Sequence, residues 1–314
     1  MAPSDHFDGR RFFNPTPPAQ QPISAVPRMM TAPRTPWPAR VDQPLVKPPP
    51  LDGAAAVVTF IGQATFLIQT AAGNLLTDPM YSQRAFPVQF AGPRRVRQPA
   101  VAFDNLPPIS TVLLSHNHYD HCDRRTLSRL ARRDDPIVVT PLGNGALVRS
   151  TGIRRVEELD WWQESKSVAW PATLTPAHHF SARTPFDRNR ALWGGFVLTA
   201  AGRRIYFAGD TAYAPFFRDI PARLGPLDLA LLPIGAYEPR WFMQPFHMTP
   251  EEAVRAHREV GARVSIATHH SYFRLADDGF EAPARLLADA RAAAGVPPDD
   301  FRVLDVGETA VLGQ

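Results

Sequence analysis

The chain has 314 residues, 44% of them hydrophobic, and its formal net charge at pH 7 is +4. That charge is small for the length, and the first fifty residues carry +3 of it, so we do not expect a nucleic-acid partner. Cys122 is the single cysteine, which excludes an intrachain disulfide and suits a reducing compartment. No apolar run reaches membrane-spanning length and residues 1–11 do not look like a signal peptide. We therefore expect a cytoplasmic protein, with any membrane contact peripheral.

The first fifty residues differ from the rest because they contain 13 of the 34 prolines. Pro-rich sequence can neither pair into a sheet nor continue a helix, so it should form an extended arm over the surface. We predict this arm over residues 1–50 and one large domain over residues 51–314. Four aromatic residues indicate that the arm docks on the domain: Phe7, Phe12, Phe13 and Trp37.

After the arm, strand and helix patterns alternate along the chain. Residues 57–61 and 64–70 are typical of paired strands, and residues 136–140 of a later strand. Between them, Asp123 should cap a helix that runs to about Arg133. This alternation predicts a mixed α/β fold.

Two further local patterns follow. Residues 192–198 and 204–207 flank a turn over residues 199–203, which predicts an antiparallel hairpin. Thr249 and Glu252 have the spacing of a capping box, which predicts a helix that begins at about Pro250. Aromatic residues in the segments 214–217 and 241–243 could face a lipid surface, but we expect them to pack inside the protein.

The segment 115–121 places three imidazoles and one carboxylate within six positions, directly after the apolar run 111–114. That run predicts a buried strand, so the polar groups lie in the loop at its carboxyl end, where α/β folds usually carry their chemistry. Neutral imidazole and carboxylate are ligands for zinc, iron and related ions. A polar surface turn is the alternative. The candidate ligands are His116, His118, Asp120 and His121.

Other ligand-type residues follow apolar runs later in the chain. They are His178 and His179, Asp210, and His269 and His270. Any one of them alone could be a core histidine or carboxylate satisfied by hydrogen bonds, and we prefer that interpretation for His6 and His257. The repeated pattern favours a shared metal site.

These residues resemble the signature of the metallo-β-lactamase fold hydrolases, His-x-His-x-Asp-His followed by a distant His, Asp and His. The chain is also similar to the N-acyl-phosphatidylethanolamine phospholipase D branch from about Val57 to about Phe273. The segments that carry this similarity are Leu76-Thr77-Asp78-Pro79, Gly92-Pro93-Arg94-Arg95, Glu158-Leu159-Asp160-Trp161-Trp162, Phe207-Ala208-Gly209-Asp210-Thr211 and the block from Pro233 to Met243.

The resemblance implies a four-layer αββα sandwich and two divalent metal ions, zinc by expectation, with manganese and iron as alternatives. It assigns Asp210 as the ligand shared by both ions, and it implies that a hydroxide between the ions is the nucleophile. One ion is expected on His116, His118 and His179, and the other on Asp120, His121 and His269.

The resemblance also suggests two supporting residues. Asp78 should lie behind a ligand histidine and fix its tautomer, although a turn-forming Asp before Pro79 is the alternative. His247 could face the pocket and protonate a leaving group or hold a phosphate oxygen, or it could simply precede a helix.

The sequence departs from the family pattern in three places. Gln63 stands where the family often has His, and His270-Ser271 where it often has Trp-Gly. Neither departure should touch a ligand, but both could alter the pocket. His178 replaces a frequent Gln, which leaves the choice between His178 and His179 as the ligand less secure.

The predicted function is therefore metal-dependent hydrolysis of a phosphodiester in a phospholipid-like substrate, with Asp120, Asp210 and His247 as catalytic residues. A lactonase similar to the L-ascorbate-6-phosphate branch is one alternative. A non-catalytic metal-binding scaffold is another. A nuclease of the ribonuclease Z type is disfavoured by the small positive charge. No organic cofactor is expected, and the sequence does not determine the oligomeric state.

Overall fold

Strands with apolar side chains on both faces build two sheets, which pack against each other. In the strand Leu227–Pro233, for example, Leu229 and Leu231 face the core between the sheets, while Ala230 and Leu232 face a layer of helices. The computed structural model describes residues 3–19, 21–25, 28–29 and 35–313. Helices cover the outer face of each sheet, so the layers follow the order αββα, as predicted.

The first sheet has seven strands in the order β13-β1-β2-β3-β4-β5-β6. β13, β1, β2 and β3 pair antiparallel, whereas β3 to β6 pair in parallel. The strands are β1 Ala56–Gly62, β2 Thr65–Thr70, β3 Gly73–Thr77, β4 Thr111–Leu113, β5 Ile137–Pro141, β6 Val156–Leu159 and β13 Thr309–Leu312.

The second sheet has six strands in the order β12-β11-β10-β9-β8-β7. β9 to β12 are parallel neighbours, and β7, β8 and β9 pair antiparallel. The strands are β7 Ala172–Thr175, β8 Gly195–Ala200, β9 Arg203–Phe207, β10 Leu227–Pro233, β11 Ala262–Thr268 and β12 Phe301–Arg302.

The helices bury one apolar side each against the sheets. Leu127 and Leu130 of α1 pack on the first sheet, and Phe217 of α3 and Leu287 of α6 pack on the second. The helices are α1 Arg124–Arg133, α2 Gly145–Arg149, α3 Phe216–Leu224, α4 Arg240–Met243, α5 Pro250–Val260 and α6 Ala282–Ala294, with short 3-10 turns at Ile23–Ala25 and Phe103–Asn105. No helix in the described ranges is long and apolar enough to cross a membrane.

The local predictions hold with shifted bounds. Asp123 caps α1, and the capping box of Thr249 and Glu252 opens α5. The hairpin is shorter than predicted: β8 begins at Gly195, and only Ala201 and Gly202 form the turn, both with positive φ, as a type I′ turn requires. Residues 192–194 do not join β8 because their backbone bonds leave the sheet. The Leu192 and Gly194 amides donate to the carbonyls of Leu142 and Ser115.

The described part of the N-terminal segment contacts the domain at several points. Phe7 and Phe12 are buried in the core between the sheets, and the Trp37 indole donates to the Asp278 carbonyl at 2.8 Å. Phe13 is 38% exposed, so its prediction as an anchor is wrong. It follows Phe12, and the two side chains lie in different environments. The boundary at residue 50 stays a prediction.

The aromatic segments considered for lipid contact are mostly packed inside the protein. Phe217, Phe242 and Met243 are buried, as expected, whereas Trp241 is 36% exposed. The two core histidines also agree with expectation. His6 is buried between the carboxylates of Asp5 and Asp160, and His257 pairs with the Ser265 hydroxyl.

Candidate metal centre

Four loops that follow strands bring the predicted ligands together. The loop after β4 carries His116, His118, Asp120 and His121, while His179 follows β7, Asp210 follows β9 and His269 follows β11. The first loop belongs to one sheet and the others to the second, so the cluster lies where the two sheets meet. A close approach at Gly209 makes this possible: its φ is +61°, and a Cβ there would lie 2.6 Å from the Ser115 Cβ.

Three imidazoles form one half of the cluster. His118 Nδ1 lies 2.8 Å from His116 Nε2 and 3.2 Å from His179 Nε2, so the three nitrogens converge on one point. Asp210 Oδ2 lies 3.9 Å from His116 Nε2 and 3.7 Å from His179 Nε2. The four ligand atoms all lie within 4.8 Å of one another. That is a suitable donor set for a transition-metal ion.

The other half contains two carboxylates and two imidazoles. His121 Nε2 lies 3.1 Å from both Asp120 Oδ2 and Asp210 Oδ2. His269 Nε2 lies 3.1 Å from Asp120 Oδ2 and 3.2 Å from Asp210 Oδ2. Asp210 Oδ2 is therefore common to both halves.

The first half favours uncharged imidazoles. Burial lowers the pKa of His118 to about 3 and that of His179 to about 4, and it holds the pKa of His116 well below the usual value. Neutral imidazole is the form that binds metal, so these side chains need not lose a proton at neutral pH.

The second half favours positive charge. Burial opposes protonation of His121 and His269, but the carboxylates of Asp210 and Asp120 outweigh it and raise the pKa of both histidines. Within the described chain, neither carboxylate pairs with a Lys or Arg, and Asp210 Oδ1 and His118 Nε2 have no hydrogen-bond partner. Buried carboxylates without a permanent cation are the environment that a metal ion satisfies. The residues fit such a group.

Asp78 supports the loop after β4, residues 115–121, from the side that faces away from the cluster. We call this segment the ligand loop. Its Oδ1 accepts from the Ser115 amide at 2.7 Å, and its Oδ2 accepts from the Ser115 hydroxyl and from His121 Nδ1 at 2.6 Å. Since Nδ1 carries the proton in that pair, Nε2 of His121 is free to face the cluster.

Gln63 is a contact that the sequence analysis missed. Its Nε2 donates to Asp120 Oδ2 at 2.9 Å, and its backbone carbonyl accepts from the His269 amide at 2.9 Å. The expectation that this position touches no ligand is wrong, because the bend after β1 brings Gln63 next to two other loops. Only the family's frequent His at this position hinted at such a role.

His178 and His179 point in different directions. His179 Nε2 faces the cluster, and its Nδ1 pairs with the Phe246 carbonyl at 2.9 Å. His178 instead pairs through both ring nitrogens with the carbonyls of Pro245 and Thr16. The structure therefore brings His179 into the cluster and leaves His178 outside it.

His247 lies beside the cluster. Its ring centroid is 5.1 Å from that of His179 and 5.3 Å from that of His269. It lines a cleft of about 270 Å³ together with His118, Asp120, Asp210 and His269. The rest of the wall is largely apolar: Met29, Ala85, Phe180, Phe242, Met243, Phe246 and Leu275.

Comparison with known proteins decides the family. Residues 73–270 match the model of the beta-lactamase superfamily domain. The N-acyl-phosphatidylethanolamine-hydrolyzing phospholipase D 1 of Caenorhabditis elegans is 37% identical over 80% of this chain and 74% of that protein. The chain belongs to the beta-lactamase superfamily. The predicted resemblance is confirmed, and it places the chain among metal-dependent hydrolases.

Two further proteins are similar to this chain. An uncharacterized protein of Mycobacterium tuberculosis is 40% identical over 76% of this chain and 65% of that protein, so the match spans a little under two thirds of that relative. The structure of isothiocyanate hydrolase from Delia radicum gut bacteria superposes with a TM-score of 0.65, at 23% identity, over 82% of this chain and all of that one. This superposition confirms the fold.

Proposed function

We propose that the chain is a dinuclear metal-dependent phosphodiesterase that acts on a phospholipid-like substrate with phospholipase D regiochemistry. The observation that carries this proposal is the position of Asp210, whose Oδ2 lies within 3.1–3.9 Å of ligand nitrogens in both halves of the cluster. A carboxylate shared in this way is what two neighbouring cations require, because it offsets their repulsion.

The proposed division of the ligands is the one that the resemblance implies. His116, His118 and His179 would hold one ion, and Asp120, His121 and His269 the other, with Asp210 common to both. Bound divalent ions would supply Lewis-acid activation of water and of a phosphoryl oxygen at neutral pH. Zinc suits this mixture of imidazole and carboxylate, and manganese or iron would accept it too. Metal content of protein purified without added metal distinguishes them.

Side chains of the cluster position the reaction. Asp120 is held by Gln63 and by His269, so its free movement is restricted. Burial keeps the pKa of His247 well below the usual value, so its ring is neutral at pH 7. A neutral imidazole donates one N–H, which suits a hydrogen bond to a phosphate oxygen better than protonation of a leaving group. His247 Nδ1 has no hydrogen-bond partner in the described chain.

The lining of the cleft supports the proposal of a lipid-like substrate. Its apolar wall, formed largely by Phe180, Phe242, Met243 and Phe246, lies next to the cluster and would accommodate an acyl chain. The C. elegans relative is named for hydrolysis of an N-acylated phospholipid. In the proposed reaction, water adds to phosphorus and the bond to the headgroup oxygen breaks. The products are a phosphomonoester and the headgroup alcohol.

A substrate panel tests this function. Purified protein is assayed on N-acyl-phosphatidylethanolamine, phosphatidylcholine, a chromogenic phosphodiester and a lactone, together with its metal content. Asp210→Asn should lose phosphodiesterase activity by at least about a thousandfold, because it weakens both halves of the cluster. Asp219→Asn removes an exposed carboxylate of α3 and serves as the matched control.

Each other outcome points elsewhere. Phosphodiesterase activity that survives Asp210→Asn at the wild-type rate would refute the mechanism. Turnover of lactone without turnover of phosphodiester would favour the lactonase. Retained metal with no turnover of any substrate would favour the binding scaffold.

A further inference from the structure

A second cleft lies on the other side of the ligand loop. It has a volume of about 580 Å³ and is formed by α1, by the segment 84–89 and by Arg183. Tyr119 lines both this cleft and the candidate active site. Six arginines of the described ranges line it, and we call it the arginine cleft: Arg84, Arg124, Arg125, Arg129, Arg132 and Arg183.

The positive charge of the arginine cleft is not neutralised from within. Asp123 is the one acidic residue that the described part of the chain contributes to its wall. Its carboxylate already accepts from the Ser82 amide and hydroxyl, from the Thr126 hydroxyl and from the Arg125 amide. Since these donors occupy both oxygens, Asp123 caps the start of α1 and does not pair with the guanidinium groups of the cleft.

Several of the guanidinium groups have spare donors. In the described chain, Arg125 makes no side-chain hydrogen bond or ion pair, and Arg132 bonds only the Ser128 hydroxyl, at 2.8 Å. Arg84 Nε is buried and has no hydrogen-bond partner among the described residues. Both Arg125 and Arg132 are exposed and could turn toward a ligand at little cost.

Arg183 has a different task. Its Nη1 donates to the carbonyls of Asn117 at 2.8 Å and Cys122 at 3.0 Å, and its guanidinium lies 3.9 Å from the Tyr119 ring. It therefore braces the ligand loop, which forms the wall between the two clefts. A ligand in the arginine cleft would contact that wall without entering the active site.

We propose that the arginine cleft binds a dianionic phosphate monoester group, separate from the phosphodiester that the metal centre would cleave. A doubly charged phosphate can take bidentate bonds from several guanidinium groups at once, and these are strong because donor and acceptor are both charged. The group could belong to a soluble ligand or to a lipid headgroup. The site does not depend on the proposed reaction, since it uses none of the cluster residues.

Titration calorimetry with glycerol 3-phosphate, a soluble phosphate monoester, tests the site. Arg125→Gln/Arg132→Gln should weaken binding about tenfold or more, because two charge-assisted contacts are lost. Arg258→Gln/Arg263→Gln removes the same charge from exposed positions elsewhere and should bind like the wild type. Asp210→Asn weakens any binding of the probe at the metal centre, so the binding that remains in this variant reports the arginine cleft.

Vesicles of phosphatidylcholine, with and without phosphatidic acid, identify the source of the phosphate. Sedimentation with phosphatidic acid that falls in the cleft variant indicates a lipid headgroup, whereas binding of glycerol 3-phosphate alone indicates a soluble ligand. Two results would overturn the proposal. One is an equal loss of binding in both double variants, which would mean that binding depends on the net charge of the protein and not on a specific site. The other is binding that Asp210→Asn abolishes and the cleft variant retains.

Discussion

At the scale of single residues, hydrogen bonds behind the cluster decide which atoms face it. Asp78 holds both Ser115 and His121, and this fixes the tautomer of His121. The resemblance to the family predicted a supporting role of this kind for Asp78. The pattern of the sequence alone also allowed a plain turn before Pro79.

Asp78→Asn separates these two roles. Asn forms turns as readily as Asp but cannot accept the His121 proton with a full negative charge. We expect a loss of metal affinity and of kcat/KM of roughly 10- to 100-fold with the fold retained. Elemental analysis and steady-state kinetics measure both. Wild-type metal content in this variant would show that Asp78 only forms a turn and does not support metal binding through His121.

Asp278 gives the molecule a pH-dependent stability. Burial raises its pKa from the ordinary 3.8 to about 6, although its Oδ2 accepts from the Ala236 amide at 3.3 Å. Because the folded-state pKa is the higher one, the protonated form stabilises the fold. That contribution is fully present below about pH 4 and is lost as the pH rises through about 6.

Asp278→Asn should therefore gain stability over the wild type as the pH rises. The difference in free energy of unfolding should grow by on the order of 2 kcal/mol between about pH 4.5 and about pH 7. Urea unfolding at the two pH values measures it, and Asp289→Asn, which changes an exposed carboxylate, is the control. A difference that is the same at both pH values would contradict a raised pKa.

At the scale of elements, the capping signals reported helix starts correctly because caps are local. The Thr249 hydroxyl accepts from the Glu252 amide at 3.2 Å, and Glu252 Oε2 accepts from the Thr249 amide at 2.9 Å. Both carboxylate oxygens of Glu252 also accept hydrogen bonds from Arg240 Nη2, which makes an ion pair. This joins α4 to α5 on either side of His247, a link between elements that spacing did not reveal.

Thr249→Ala should lower the free energy of unfolding by about 1 kcal/mol, because the amides at the start of α5 lose their acceptor. Thr249→Ser keeps the hydroxyl and should stay close to the wild type. Denaturant titrations of the three proteins provide the measurement. Equal stability of the Ala and Ser variants would show that the cap contributes nothing here.

At the scale of the whole molecule, the N-terminal segment and the domain share a core. Phe12 is 2% exposed and packs between the sheets. The carbonyl of Thr16 pairs with His178, the neighbour of the candidate ligand His179. Packing of this segment is thus connected to the loop that follows β7.

Alanine substitutions of the adjacent residues Phe12 and Phe13 test whether the N-terminal segment packs on the domain. Phe12→Ala should destabilise the protein by about 3 kcal/mol, as large-to-small changes in a core do, whereas Phe13→Ala should cost well under half as much, about 1 kcal/mol or less. Thermal or urea unfolding compares the two variants directly. Similar losses in both would mean that the segment does not pack as described.

Local chemistry determined much of this protein in advance. Metal ligands must be of particular residue types, so a run such as His116 to His121 indicates them without knowledge of the fold, and helix caps depend on neighbours within four residues. Only the tertiary structure decided which of His178 and His179 faces the cluster, that Gln63 contacts Asp120, and that six arginines line one cleft. These contacts join loops from distant parts of the chain. Their geometry depends on how the two sheets pack, and local spacing along the sequence does not contain that information.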